Sequence, residues 1–319
     1  MRVIDAMQGV LTSRGQPGGI EATLGRTFTI IMLLIVLLVT ILLLAGVFRR
    51  RAPTDPAAIT REGGGIAWIL AGGVVMPIIG LGILFVLVLG ALAGSARPDR
   101  TAVTTFAIVG HRWWWEIRQV DETGRTRFVT ANELHVPVGR PVRLRLSSAD
   151  VIHSFWVPQL AGKTDVIPGQ TNDAWLQADH PGVYGAVCAE YCGMQHAHMA
   201  LRVVAEDSAS YEAWLAHEAA PASSPASAIA ARGADLFVSG PCAACHEVRG
   251  TGASAVVGPD LTHVASRRTI GAGTLPNSTG NPDAWISNTQ TIKPGNAMPA
   301  MALSGPDLQA LIAFLEELR

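Results

Sequence analysis

Two uninterrupted apolar runs dominate the first third of the chain. Residues 28–48 carry no charge across about the twenty positions that a helix needs to cross a hydrocarbon core, and residues 66–94 form a longer run of the same kind. Both are predicted as transmembrane helices. The second contains Pro77 and several glycines, so a kink is expected near Pro77. From about residue 101 the pattern changes to short β-rich runs broken by Gly and Pro. Residues 103–109, 141–146, 183–187 and 201–204 read as strands, which predicts a β-sandwich or Greek-key barrel. Residues 211–217 suit one or two helical turns, and the Ala/Ser/Pro stretch 219–228 lacks apolar periodicity. A helix is expected around 229–238. Another should span 307–319, where Leu308, Leu311, Ile312 and Leu315 recur at helical spacing.

The expected organisation is therefore a tail at 1–27, a membrane hairpin at 28–94, a β domain at 95–207, a linker at 208–228 and a helical domain at 229–319. The tail is polar, without the early apolar core of a cleaved signal peptide. Arg49, Arg50, Arg51 and Arg61 lie between the spans, and a short basic loop is expected on the cytoplasmic side. Both termini should then lie outside. A first span acting alone as an uncleaved anchor is the alternative, but two uncharged spans joined by a short basic loop fit a hairpin packed on a larger membrane subunit. A net charge of −1 and a pI near 6.8 give no sign of a nucleic-acid partner.

The four cysteines fall into two close pairs, leaving none over for a structural disulfide. The first pair sits in Cys188-Ala189-Glu190-Tyr191-Cys192-Gly193-Met194-Gln195-His196-Ala197-His198-Met199. Thiolate, thioether and imidazole select copper, whereas carboxylates and water suit magnesium or calcium. A mononuclear blue-copper site uses one Cys, so two thiolates could bridge a pair of metals, with a second imidazole supplied from elsewhere by His153. A Cys188–Cys192 disulfide and a zinc site are the competing readings, and neither accounts for Met199 or for the His153 segment. The second pair, Cys242-Ala243-Ala244-Cys245-His246, is the motif for covalent c-type haem, with His246 placed to bind iron. A thioredoxin-like pair is disfavoured by the adjacent His and by the lack of a βαβ pattern. The second axial ligand should be a downstream Met. Met298, before Pro299, is the candidate, and Met301 is the alternative expected to pack instead.

The copper loop, with the segments 132–139, 148–155 and 163–169, resembles the dinuclear copper centre, CuA, of subunit II of haem-copper cytochrome oxidases over about residues 101–204. The resemblance implies a cupredoxin fold and the ligands His153, Cys188, the Glu190 carbonyl, Cys192, His196 and Met199. None of these positions departs from the family pattern, whereas quinol-oxidising relatives lack the cysteines. It also implies that the copper loop joins the last two strands, that Trp113 in the run Trp113-Trp114-Trp115 receives electrons, and that the Glu190 side chain reaches a magnesium shared with a catalytic subunit. An aromatic packing cluster is the alternative for that run. His135 and His198 match no family ligand position. Residues 229–319, with Gly258-Pro259-Asp260-Leu261, resemble a class I cytochrome c domain.

As a whole the chain resembles subunit II of a cytochrome c oxidase that carries its own cytochrome c. The fold class expected is a multi-domain membrane protein with a two-helix hairpin, an all-β cupredoxin-like sandwich and an all-α cytochrome c domain. The implied function is electron transport in a respiratory chain. Electrons would come from an external donor, such as a cytochrome c or a quinol-cytochrome c reductase, and pass to the partner, subunit I, which reduces oxygen with coupled proton movement. Further membrane subunits are implied, and the location is the bacterial inner membrane with the metal domains on the periplasmic face. The same features fit a CuA-bearing subunit of a nitric oxide reductase. A copper carrier is the rival of another class, disfavoured by buried dinuclear ligation, a fused haem and a two-span anchor.

Overall fold

The computed structural model describes residues 9, 12–49, 65–95, 102 and 104–319. Most of the basic loop expected to be cytoplasmic, including Arg50, Arg51 and Arg61, lies outside the described residues, as does most of the tail before Ser13. The chain forms two units, one of residues 20–97 and one of residues 1–19 with 98–319.

The first unit holds two helices long and apolar enough to cross a membrane, α1 (Gln16–Phe48) and α2 (Gly65–Ser95). Their apolar side chains are exposed in the isolated chain, as Leu33, Leu43, Phe85 and Leu92 show. That is the surface a lipid or a membrane partner covers. The irregularity expected near Pro77 takes the form of a π-helical turn, Ala71–Val75, where the Met76 N–H donates to the Ala71 carbonyl five residues back. Pro77 has no N–H to offer the carbonyl of Gly73 and its ring crowds it, so widening the preceding turn accommodates both.

α1 begins well before the apolar run, and the segment leading into it is not a loose tail. The Arg14 N–H donates to the Gln159 carbonyl at 2.8 Å, the Asp179 N–H to the Arg14 carbonyl at 2.7 Å, and the Gly18 N–H to the Leu160 carbonyl at 2.9 Å.

The second unit contains two five-stranded sheets packed face to face. Its strands are β1 (Thr105–His111), β2 (Trp114–Val120), β3 (Thr126–Ala131), β4 (Glu133–Pro137), β5 (Val142–Ser148), β6 (His153–Trp156), β7 (Thr164–Val166), β8 (Asn172–Leu176), β9 (Gly182–Cys188) and β10 (Ala200–Glu206). One sheet runs β3-β2-β1-β5-β8 and the other β4-β10-β9-β6-β7, with parallel pairs at β1/β5 and β4/β10. Alternation sets the faces: in β5, Val142, Leu144 and Leu146 are buried while Arg143 and Arg145 point out. Burying such a face at about 25 cal/mol per Å² of apolar surface is the main stabilising term. The four strands read from sequence are present, each shifted or lengthened by one or two residues.

The segment after β10 is more ordered than one or two turns. Helix α3 (Ser208–Ala219) is capped by Asp207, whose carboxylate accepts from the Ala209 and Ser210 amides. Its Tyr211 and Leu215 join the sandwich core, and Trp214 stacks on His135 with ring centroids 4.5 Å apart. His135 is also bonded to Glu206 at 2.7 Å, a structural role.

The helical region is built from α4 (Ala228–Ser239), α5 (Asn281–Ile292) and α6 (Gly305–Glu317). Phe237 of α4 meets Phe314 of α6 edge-on at 5.7 Å, within a core that includes Ile286 and Leu311. It packs directly on the sandwich. The Ala200 N–H donates to the Ala272 carbonyl at 3.0 Å, the Arg268 N–H to Glu133 at 2.9 Å and the Arg249 guanidinium to the Val129 carbonyl at 3.1 Å.

Candidate metal centre and haem cavity

The copper loop runs from Cys188, the last residue of β9, to Met199, just before β10. It is pinned at its mouth, where the Cys188 N–H donates to the Met199 carbonyl at 3.0 Å. Between them a short 3₁₀ turn, His196–His198, folds the chain back so that His196 and Met199 approach Cys192. His153 arrives on β6, which pairs with β9 through Phe155 and Cys188. It opens a strand of its own rather than trailing after β5, because the chain bends over residues 149–151 and brings β6 beside β9.

Around the loop, the Cys188 Sγ lies 3.8 Å from the Cys192 Sγ, 3.9 Å from the His153 Nδ1 and 3.2 Å from the Glu190 carbonyl. The Cys192 Sγ is 3.6 Å from the His196 Nδ1 and 3.8 Å from the Met199 Sδ. A disulfide needs sulfurs about 2.05 Å apart, so these are two free thiols. The residues His153, Cys188, Cys192 and Met199 are all buried. Two thiols, two imidazoles, a thioether and a carbonyl converge here, and this soft donor set fits copper. The buried Met199 has no part in a zinc site of Cys and His alone.

The protonation of the cluster follows from its geometry. A hydrogen bond from Cys192 draws the Cys188 thiol down to about 3, while the same bond, with burial, pushes Cys192 far up. The two sulfurs thus share one proton, which a metal would displace. Burial opposes charge on His153, yet its bonds to Cys188 and Asp150 raise it above the usual histidine range. The His153 Nε2 is 2.8 Å from an Asp150 carboxylate oxygen, which only accepts, so Nε2 carries the proton and Nδ1 is left toward sulfur. Asp150, which also accepts from the Arg112 N–H at 2.7 Å, received no role from the sequence. A carboxylate three residues before an expected metal-binding His was the available signal. Gly110 was another: a Cβ there would stand 2.8 Å from the His153 ring.

The haem motif forms a tight 3₁₀ turn, Pro241–Ala244, closed by the His246 N–H donating to the Cys242 carbonyl at 3.0 Å. Cys242, Cys245, His246 and Met298 all line one cavity of about 530 Å³, within the range of cofactor sites. The His246 Nδ1 donates to the Pro259 carbonyl at 2.7 Å, and burial lowers its pKa, so a neutral imidazole keeps Nε2 free for a metal. Gly258 makes room for it, since a Cβ there would meet the His246 Cε1 at 2.7 Å. Met298 is held by its N–H to Asn296 at 2.8 Å and by Gln290 donating to its carbonyl at 2.7 Å. Met301 lines the same cavity. A large, mostly apolar cavity carrying two thiols, a neutral imidazole and a thioether fits a covalently held haem.

Trp113 lies between the two sites. It lines the cavity and its indole Nε1–H donates to the Cys192 carbonyl at 2.9 Å. Its neighbours in the aromatic run behave differently: Trp114 stacks on His111 at 4.4 Å, and Trp115 is fully buried against Phe155 and His153. The Glu190 side chain is exposed, and the His198 Nδ1 is bonded to Gln195 at 2.7 Å.

Residues 116–206 match the family model for the periplasmic domain of cytochrome c oxidase subunit II, and residues 230–319 match the model for cytochrome c. A cytochrome c oxidase subunit 2 of Alkalihalophilus pseudofirmus is 41% identical over 213 residues, covering 66% of this chain and 60% of that protein. One from Bacillus subtilis is 30% identical over 217 residues, covering 65% and 60%. The chain thus spans about three fifths of the length of these curated relatives. The crystal structure of the periplasmic domain of subunit II of cytochrome oxidase of Bradyrhizobium japonicum overlaps 38% of this chain and 96% of its own, at 28% identity and a TM-score of 0.35. Along one chain, then, a region similar to the periplasmic domain of cytochrome c oxidase subunit II is followed by a C-terminal region similar to cytochrome c.

Proposed function

We propose that this chain is the electron-receiving subunit of a membrane-anchored haem-copper respiratory oxidase. In this reading His153, Cys188, the Glu190 carbonyl, Cys192, His196 and Met199 hold a dinuclear copper centre. Cys242 and Cys245 would hold a haem covalently, with His246 and Met298 as the side chains that would bind its iron. When bound, the haem and the copper pair supply one-electron redox chemistry, taking electrons from an external donor and passing them to a catalytic subunit that reduces oxygen.

The chain's own residues prepare that task. The β6 and β9 strands and the pinned loop hold the sulfurs and imidazoles in place before any metal is present, so a change of charge there demands little rearrangement. Asp150 keeps the His153 proton on Nε2. Trp113 occupies the wall between the cavity and Cys192 and excludes water from that wall. The exposed carboxylate of Glu190 is available to a magnesium shared with the partner. The two spans would anchor the chain in the bacterial inner membrane against subunit I, with both metal domains on the periplasmic face.

The observation that carries this reading is the junction at Trp113, which lines the haem cavity and touches a copper-loop carbonyl in one compact unit. To test it, the chain is purified in mild detergent with its membrane partner, its copper and haem c are counted, and oxygen and nitric oxide consumption are followed with a reduced donor. Two coppers per haem c beyond the partner's metals, together with oxygen uptake, are expected. Nitric oxide turnover without oxygen uptake would assign the partner to the reductases. Metal that leaves under mild chelation would favour a carrier.

A further inference from the structure

Lys293 is an unusual residue for a buried position. It follows α5, whose Trp285 and Ile286 line the haem cavity, and it is 3% exposed. Its ammonium Nζ donates to three backbone carbonyls: Trp113 at 2.8 Å, His198 at 2.8 Å and Gly271 at 2.9 Å. Trp113 belongs to the turn between β1 and β2, His198 to the copper loop and Gly271 to the cytochrome domain. Among the described residues no carboxylate pairs with it. A lone cation is costly to bury, and burial draws the Lys293 pKa down to about 7. For folding alone an apolar side chain would serve the α5 end as well. Three donors radiating from one nitrogen suit another task, joining three segments from distant parts of the chain.

The neighbouring residues reinforce the same seam. The Gln195 side-chain amide of the copper loop donates to the Pro294 carbonyl at 2.8 Å, one residue along from Lys293. The Ala200 N–H reaches the Ala272 carbonyl at 3.0 Å, one residue along from Gly271.

We propose that Lys293 is a positioning residue, an ammonium clasp that seats the cytochrome c domain on the copper loop and holds Trp113 between the haem cavity and Cys192. Its role as a clasp stands on the contacts above, while its consequence for electron transfer rests on the proposed function.

The test uses the intact holoprotein with Lys293→Met, which keeps the chain length and removes every donor, and Lys293→Gln, which keeps two donors without charge. Amide hydrogen exchange at Ala200 reports the seam directly and does not depend on turnover. Bonds to a charged donor are strong enough that losing one shifts an equilibrium by on the order of tenfold or more, so exchange at Ala200 should rise by at least about that factor in Lys293→Met and less in Lys293→Gln. Haem-to-copper electron transfer, followed after flash reduction of the haem, should slow in the same order, with the spectra of both centres unchanged. Unaltered exchange and transfer in Lys293→Met would overturn the proposal. So would loss of the methionine–iron absorption band in both variants, which would make Lys293 a residue of the cytochrome fold alone. Should the wild-type chain hold no copper pair, the proposed function fails, and the exchange measurement still decides whether the clasp exists.

Discussion

The two candidate metal sites of this chain are built on opposite plans. At the copper loop the donors already stand together: every sulfur has a neighbouring donor atom within 4 Å. At the haem motif the donors do not touch but stand around about 530 Å³ of cavity. A small ion can be held by one loop and one strand on a framework that is stable without it. A large prosthetic group must take the place of a core, so the fold around it depends on the group itself.

The largest effect that would sharpen this contrast is expected from Cys242→Ser combined with Cys245→Ser. Left unfilled, a cavity of that size costs, as an upper bound, on the order of 10 kcal/mol at about 24 cal/mol per Å³, comparable to a whole domain's stability. The variant should lose covalent haem on a denaturing gel and the helical signal of residues 229–319, while the sandwich remains protease-resistant. An intact, haem-free cytochrome domain would break the comparison.

Next in size are the two glycines that make room for an imidazole of each candidate site. Gly258→Ala, against His246, and Gly110→Ala, against His153, should each cost about 1–3 kcal/mol by overpacking, read by thermal unfolding. The first should alter only the haem spectrum and the second only the copper spectrum. Copper stripping should have a smaller structural effect: the melting temperature falls by the lost binding energy, but the far-ultraviolet dichroism of the sandwich persists at room temperature. Unfolding on stripping would place the copper site with the haem site.

The smallest effect concerns the cap of α3. Hydrogen bonds from Ser210 and Ala209 hold the Asp207 carboxylate below its usual pKa, so its contribution to stability is present above the ordinary carboxylate range and is lost as pH falls through the lowered value. Asp207→Ala should therefore lower the melting temperature at pH 7 and leave it unchanged at strongly acidic pH. Equal effects at both would remove the charge from the account.

Both candidate sites were legible in the chain because their donor residues are concentrated in short motifs. Cys188 to Met199 span one loop, and Cys242 to His246 one turn, so local geometry brings most of each set together. The membrane runs, four strands and both helices flanking the haem domain were legible for a similar reason, since period and length are local. Strands β2, β3, β4, β6, β7 and β8 were not, because they are short or mix polar with apolar residues. Trp114 and Trp115, read as part of an aromatic run, pair across β1 instead. Helix α5 was missed because its sequence is largely polar and it is shaped by the cavity beside it.

The sequence by itself determined which atoms could bind metal, since donor chemistry belongs to residue type. It also determined where the chain could cross a membrane, because that needs only an apolar run of sufficient length. Tertiary structure alone decided that Asp150 sets the His153 tautomer, that the segment before α1 packs on the sandwich, and that a stretch rich in Ala, Ser and Pro leads into a seated domain rather than a free one. Lys293 is the clearest case. In the sequence it is one cation before a proline, and its meaning comes from three carbonyls that lie 22, 95 and 180 residues away along the chain and meet only when the two domains pack.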